Sequence, residues 1–452
     1  MEVERKRSPP HALLLPYPTQ GHINPMHQFC KRLVSKGIKV TLANTVCISN
    51  SMFSDPKSLI SFETYSDGFD QGGYAQAESV DIYLSSLRTV GSRTLQELLK
   101  KLDESGNPVN VLIYDAFLPW ALDVANKFGL VKAVFFTQSF AVNYIYYHVY
   151  KGLISLPRPG DNPSIISIPG LPLFRSWETP APLDYLDLVV NQFSNVDDAD
   201  WVFFNAFHKL EEEVSGYLPK FWKVRTIGPT LPSMYLDKRL EDDKDYAINL
   251  FKPNNEVCMN WLNDKPSGSV IYVSFGSFIT VSVEQMEEIA QGLKDCNHNF
   301  LWVVRKSEEA KLPNNFINVI SGKGLVVTWS RQLEILTHES VGCFVTHCGF
   351  NSVLEAISLG VPMVGIPQWT DQPANAKYVE EVWGVGVRAK PDDKGIVKGK
   401  VLQSLIAEVM EGEKGKTIKT RAANWKNLAK EAVDEGGTSD RNINEFAATL
   451  LH

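Results

Sequence analysis

Between positions 329 and 372 the chain reads WSRQLEILTHESVGCFVTHCGFNSVLEAISLGVPMVGIPQWTDQ, and its polar and aromatic residues fall at spacings that suit one ligand. Trp329 offers a flat apolar face to a base ring, and Gln332 can pair with the edge of that base. His347, Asn351 and Ser352 flank an expected helix start, where unpaired main-chain N–H groups at the positive end of the dipole accommodate a pyrophosphate. Glu355, three residues after Ser352, shares its helix side and can accept two ribose hydroxyls. Asp371 and Gln372 stand side by side and can divide the hydroxyls of one hexose. Each residue alone has a plain role: a lone Trp or His is more often core or cap, and Glu355 alone is an ordinary helix residue. The order and spacing of the whole set point to a nucleoside diphosphate carrying a sugar.

A second pair could supply proton transfer. An acceptor hydroxyl is a poor nucleophile until its proton is being removed, and imidazole titrates near neutral pH and suits that task. His22 and Asp115 are the residues placed to do it. A carboxylate can fix the imidazole tautomer and stabilise the imidazolium, with the acceptor itself attacking in place of a protein nucleophile. Taken alone, His22 is as readily a loop histidine bonded locally, and Asp115 can cap the next helix. A hydrolase triad using Thr137 or Ser139 is the rival, but the chain lacks a G-x-S-x-G elbow there.

The elements that must position these groups follow from apolar pattern. HALLLPYP is a buried strand, TQGH a loop carrying His22, and Asn24–Pro25 a cap and first-turn pair for a helix running through Lys36. IKVTLANT is the next strand, and NVLIYD ends in Asp115 at the carboxyl end of another. In a parallel sheet, ligands bind outside those ends, so His22 and Asp115 can meet although far apart in sequence. In the rear half, GLVVT, VGCFVTH and VPMVGI read as strands, and SVLEAISLG as a helix stopped at Gly360.

The 329–372 segment resembles, over its full length and without a gap, the signature box of plant UDP-dependent glycosyltransferases, the inverting small-molecule group with the GT-B fold. PYPTQGHINP (16–25) resembles that family's catalytic-histidine loop, YDAFLPWALDVA (114–125) its catalytic-aspartate segment, and VSFGS (273–277) its phosphate-contact loop. The subgroup it is most similar to glucosylates salicylate-like acids, thiohydroximates, triterpenoids and steroids. The resemblance implies an α/β protein with two Rossmann-like β/α/β domains facing across a cleft and a last helix crossing back to the first. It implies Trp329 on uracil with Gln332 at its edge, and His347, Asn351, Ser352 and Ser277 on the diphosphate. Glu355 would take the ribose, and Asp371 and Gln372 the sugar, with Thr19, Thr137 and Phe350 completing the donor set. His22 would be the general base and Asp115 its partner, transferring glucose from UDP-glucose with inversion to a hydroxyl or carboxyl of a small hydrophobic acceptor. UDP-glucose is then a co-substrate, with no cofactor and no metal. Phe350 stands where the family nearly always has Trp, and Arg331 where Pro is usual. Two other readings stay open: a different UDP-sugar donor, and a non-catalytic UDP-sugar sensor, against which the presence of both His22 and Asp115 counts.

Composition sets the outer bounds. A chain of 452 residues exceeds the ~300-residue limit on a single core. The expected division is an acceptor-binding domain at 1–230, a linker at 231–256, a UDP-sugar-binding domain at 257–435 and a returning helix at 436–452. With 45 basic and 52 acidic side chains, a net charge of −7 argues against nucleic acid as a partner. The six cysteines show no zinc or C-x-x-C spacing. Neither a signal peptide nor a run of ~18 apolar residues stands out. A cytoplasmic monomer without membrane insertion is expected. The 155–182 stretch, rich in Pro and Gly, reads as a long surface loop bordering an acceptor cleft, and GEKGKT near Gly415 as a solvated helix end rather than a phosphate loop.

Overall fold

The computed structural model describes residues 9–52, 58–157, 164–180, 185–220, 222–246 and 254–451. The chain divides into two compact units. The first comprises Met1–Ser155, Leu183–Leu250 and Glu431–His452, and the second Leu156–Pro182 and Phe251–Lys430.

In the first unit, β1 (His11–Leu15), β2 (Lys39–Thr45), β3 (Ser61–Tyr65), β4 (Val111–Asp115) and β5 (Val131–Phe136) are followed, after a short antiparallel pair β6 (Ile165–Ile166) and β7 (Phe174–Arg175), by β8 (Trp201–Phe204) and β9 (Val224–Thr226). The seven long-sheet strands run parallel in the order β3-β2-β1-β4-β5-β8-β9. Every residue of β1 and β4 is buried, as expected of a parallel sheet covered on both faces. Leu15 pairs with Tyr114 in register, so these two strands end together. The helix Gln20–Ser35 lays Ile23, Met26, Phe29, Cys30 and Leu33 into the core against Ala12, Leu14 and Val111. The C-terminal helix Thr438–Leu451 adds Ile443, Phe446 and Ala447 to the same core. The Phe446 ring packs edge-on against Trp201 and Phe203.

The expected start of the first helix is corrected. It begins at Gln20 with Thr19 as its N-cap, so His22 lies in the first helical turn, and Asn24–Pro25 lie inside the helix. Pro25 is the sixth helical residue, where its missing N–H forfeits the bond to the Gly21 carbonyl. Burial of the Ile23, Met26, Phe29 and Cys30 stripe outweighs that loss.

The second unit holds β10 (Val270–Ser274), β11 (Asn299–Val303), β12 (Gly324–Val327), β13 (Val341–Thr346), β14 (Met363–Gly365) and β15 (Gly386–Arg388), all parallel, in the order β12-β11-β10-β13-β14-β15. Its core joins Ile271, Val273, Phe300, Trp302, Cys343, Val345 and Val364 to Met286, Ile289 and Leu293 of the helix Val283–Asp295. Each sheet changes direction at its centre, between β1 and β4 in one and between β10 and β13 in the other. Such reversals open a crevice at the carboxyl ends of the strands.

Residues 231–250, within the range read as a linker, group with the first unit. Asp237, Arg239 and Asp243 are paired there. Arg32 holds Asp237 through Nη1 and Nη2, Lys31 reaches Asp243 at 2.6 Å, and Arg239 reaches Asp440 at 3.0 Å. Positions 247–253 lie outside the described residues, as do 1–8 of the charged N-terminus. The GEKGKT motif opens the helix Glu413–Val433. All six cysteines are free, and all but Cys47 are buried.

Candidate active site

In the first unit the reversal brings His22 and Asp115 together. The Nδ1 of His22 lies 2.6 Å from Oδ2 of Asp115, whose side chain is 1% exposed. The second oxygen, Oδ1, accepts the Phe117 main-chain N–H at 3.0 Å, which fixes the carboxylate in its turn. A carboxylate can only accept, so Nδ1 carries the shared proton and the lone pair falls on Nε2. The imidazole is flanked by the Tyr17 ring at 5.3 Å and the Phe117 ring at 5.0 Å. Burial pushes the Tyr17 phenol well above its ordinary range, so it remains a neutral hydroxyl. Thr137 follows β5, and its Oγ1 is 3.2 Å from His22 Nδ1. The side chain assigned to the donor set therefore stands beside the imidazole. Thr19 caps the first helix without a side-chain bond to it. Ser139 accepts the Val142 N–H at 3.3 Å and caps the helix Phe140–Tyr150. The hydrolase reading loses its serine to that structural role.

In the second unit the residues expected on the diphosphate assemble around the second reversal. Ser277 lies in the loop after β10, and Arg305 clasps that loop by donating to the carbonyls of Ser277 and Ile279. His347 follows β13 directly. Gly276 and Gly349 flank its ring: a Cβ at Gly276 would lie 2.9 Å from Cε1, and one at Gly349 2.5 Å from Nε2. Both positions thus require glycine to seat the imidazole. Burial pushes the His347 pKa down to about 4, against the Ser274 carbonyl, which pulls it up. The ring is therefore neutral at working pH and offers one N–H. The helix Phe350–Leu359 starts after Gly349 and stops at Gly360, which adopts the left-handed conformation at φ 75°. Phe350, Asn351 and Ser352 form its first turn, so it begins two residues before the run SVLEAISLG read as helical.

The residues expected on the ribose and the sugar are gathered by side-chain bonds. Gln332 Nε2 donates to Ser352 Oγ at 3.0 Å and to Glu355 Oε2 at 2.6 Å. Its Oε1 accepts the Tyr272 hydroxyl at 3.2 Å, and Ser330 lies 3.2 Å from the same hydroxyl. Gln332, expected at the edge of the base, is placed beside the carboxylate expected to hold the ribose. Trp329 is half-buried between β12 and the short helix Gln332–Leu336, and its carbonyl accepts the Asn254 N–H at 3.0 Å. Arg331 points outward and pairs with Glu334 at 2.9 Å. Asp371 caps the helix Gln372–Lys377, and its carboxylate accepts from Asn375 Nδ2 at 2.6 Å. Burial raises its pKa, opposed by the Asn375 amide and the main-chain N–H of Phe350. Gln372 Oε1 accepts the N–H groups of Gln368 and Trp369 at 2.9 and 3.2 Å. Three contributors escaped the sequence reading: Tyr272, Arg305 and Asn375. Tyr272 alone left a trace, as the one hydroxyl-bearing aromatic in the apolar strand VIYVS.

Comparison with known proteins decides the family. Residues 221–416 match the family described as UDP-glucoronosyl and UDP-glucosyl transferase. The chain is 48% identical to a flavonol 7-O-beta-glucosyltransferase of Arabidopsis thaliana, over 97% of this chain and 98% of the other. It is 47% identical to a mogroside I-E synthase of Siraitia grosvenorii, with the same coverage. The chain belongs to the plant UDP-glycosyltransferase family. The crystal structure of Os79 from O. sativa in complex with UDP superposes with a TM-score of 0.90 at 39% identity, covering 97% of this chain and all of that one. The Phytolacca americana enzyme complexed with UDP-2fluoro-glucose and pterostilbene gives a TM-score of 0.82 at 27% identity, covering 98% of this chain and all of that one. The expected GT-B fold, with its two Rossmann-like parallel sheets, is shown. This glycosyltransferase transfers a sugar from a UDP-sugar donor to a small-molecule acceptor. Among the described residues, no helix is long and apolar enough to cross a membrane.

Proposed function

We propose that this glycosyltransferase moves glucose from UDP-glucose to a hydroxyl or carboxyl of a small hydrophobic plant metabolite, with inversion at the anomeric carbon. The observation that carries the reading is the 2.6 Å contact between His22 Nδ1 and the buried Asp115 carboxylate. It orients an imidazole whose Nε2 can take the acceptor proton. As that proton leaves, the acceptor oxygen forms a bond to the anomeric carbon from the face opposite the diphosphate. The bond from that carbon to the UDP oxygen breaks, and the electron pair leaves with UDP. Asp115 stabilises the imidazolium that results, without itself taking the proton.

The diphosphate charge is met by the N-terminus of the helix Phe350–Leu359 and by the neutral His347 N–H. Trp329 stacks on the uracil, Glu355 accepts the ribose hydroxyls, and Asp371 with Gln372 holds the sugar. Gln372 at the end of the box and the glucosyltransferase name of the Arabidopsis flavonol enzyme support glucose as the donor sugar. No step in this scheme runs through a metal. The rings of Tyr17 and Phe117 beside His22 favour a flat apolar aglycone such as a phenolic acid, a triterpenoid or a steroid.

The test is incubation of the full chain with UDP-glucose, UDP-galactose and UDP-glucuronate in competition, against a panel of phenolic, triterpenoid and steroid acceptors. Glucoside formation with an inverted anomeric centre is the expected result. Preferred use of another sugar would overturn the donor assignment, and no transfer to any hydroxyl or carboxyl would overturn the acceptor class.

A further inference from the structure

A knot of buried charge in the second unit is built from side chains to which no role has been assigned above. Glu178 sits in the short turn Ser176–Glu178 that follows β7, and its side chain is 1% exposed. One oxygen accepts the Arg175 main-chain N–H at 2.7 Å and lies 3.2 Å from Lys377 Nζ. The other is 2.7 Å from Arg388 Nη2. Both cations are themselves buried, 5% and 7% exposed. Lys377 also reaches Glu381, and Arg388 reaches Glu380, each at 2.8 Å. Aromatic rings pack on the two cations: Phe174 lies 5.7 Å from Lys377 Nζ, and Trp177 lies 4.9 Å from the Arg388 guanidinium. Burial works to raise the Glu178 carboxyl, but the Arg175 N–H and the two cations bring it below the ordinary carboxylate range.

Such a cluster is a poor stabiliser. Stripping water from the three buried charges, Glu178, Lys377 and Arg388, costs about what their attraction returns, and apolar side chains of the same volume would hold the segment as well. What ions do that apolar packing does not is fix position. The position fixed here is that of the sugar-binding pair. Lys377 is the last residue of the helix whose cap is Asp371 and whose first residue is Gln372. At about 1.5 Å rise per residue, the two ends are roughly 9 Å apart on one rigid rod. Arg388 pairs in register with Gly365, the residue from which the chain leaves β14 toward Asp371. Glu178 therefore ties together both ends of the loop-and-helix that presents Asp371 and Gln372.

We infer that Glu178 is a positioning residue for the donor sugar: by bridging Lys377 and Arg388 it holds Asp371 and Gln372 where they meet the hexose, without touching the nucleotide site. The segment that carries it, 164–180, comes from between two strands of the first sheet, yet belongs to the second unit. A displacement of about 1 Å at such a pair is enough to cost binding and rate. The inference rests on the sugar-binding role given to Asp371 and Gln372 above.

The experiment compares two ligands that differ only in the sugar. Affinities for UDP-glucose and for UDP are measured by calorimetry on the full chain and on Glu178→Gln, which keeps the shape and removes the charge. UDP-glucose should bind roughly tenfold more weakly in the variant, a loss of about 1.4 kcal/mol, while UDP stays within about twofold. Parallel weakening of both ligands, or no change in either, would overturn the role of Glu178. Should Glu178→Gln fold poorly, Arg388→Lys carries the same test: it keeps the charge, loses the planar fork that lets one side chain reach Glu178, Glu380 and Glu381 together, and should show the same split in smaller measure. Equal effects on the two ligands would again count against the inference. Absence of sugar transfer by the unaltered chain would instead count against the function proposed above, so the two failures are separable.

Discussion

Two histidines follow central strands in the two units, and they are opposite in character. His22 is partly open, bonded at Nδ1 to a buried carboxylate, and left with a lone pair on Nε2. His347 has no carboxylate within hydrogen-bonding distance among the described residues, is wedged between Gly276 and Gly349, and has its pKa pushed down to about 4 by burial. On the function proposed above, the same side chain serves as a base in one unit and as a neutral donor in the other. What surrounds the ring decides its chemistry, and that difference separates the two units by kinetic signature. Damage around His22 should appear in turnover, and damage around His347 in donor affinity.

The strongest way to break that contrast is His22→Ala. Loss of a general base lowers kcat by about 10²–10⁴-fold, and UDP binding measured by calorimetry should be unchanged. A matching fall in UDP affinity would mean the two histidines share one role. Asp115→Asn should lower kcat on the order of 10²–10³-fold by releasing the tautomer, with the donor KM held. Gly349→Ala puts a methyl 2.5 Å from His347 Nε2, a clash that must displace the ring. We expect UDP to bind at least about tenfold more weakly, with a smaller change in kcat at saturating donor.

The contrast also has a stability form. His347 and His27 have native pKa values near 4 and 3, below the free value of 6.5. Between pH 6.5 and about 4 the unfolded chain binds protons that the native chain refuses, so stability falls as pH falls through that window. Glu211, buried against the N–H groups of Phe140 and Ala141, acts with the opposite sign. Burial lifts its pKa to about 7 from 4.5, so its penalty eases on acidification from 7 to 4.5. Two histidines outweigh one glutamate, and the melting temperature should decline from pH 6.5 toward 4. His27→Gln should flatten that decline, whereas a slope unchanged by it would assign the acid sensitivity elsewhere. The smallest effect belongs to Phe350→Trp, because the main-chain N–H of residue 350, not its ring, meets Asp371. The donor KM should shift by less than about threefold, equivalent to under ~0.7 kcal/mol.

Much of this molecule was legible in its residues. Buried parallel strands are short apolar runs bounded by turn residues, so β1, β4, β12 and β13 could be read off directly. The helix start at Gln20 could not, because Pro25 carries the signal of a first turn, and only packing of the Ile23 face reveals the earlier origin. The donor set survives as a local spacing pattern, whereas the bonds that aim it join residues distant in sequence. Tyr272 meets Gln332 across 60 positions, and Glu178 meets Lys377 across 199. No periodicity announces a partner at that distance.

The interleaving of the two units has a practical meaning for anyone recombining this enzyme with its relatives. A hybrid spliced once near residue 250 would inherit Glu178 from one parent and Lys377 with Arg388 from the other, and would part the closing helix Thr438–Leu451 from the Trp201 and Phe203 it packs against. Exchange of a whole unit needs four junctions, at 155/156, 182/183, 250/251 and 430/431. Shuffled libraries that respect those seams should retain activity far more often than those built on a midpoint crossover.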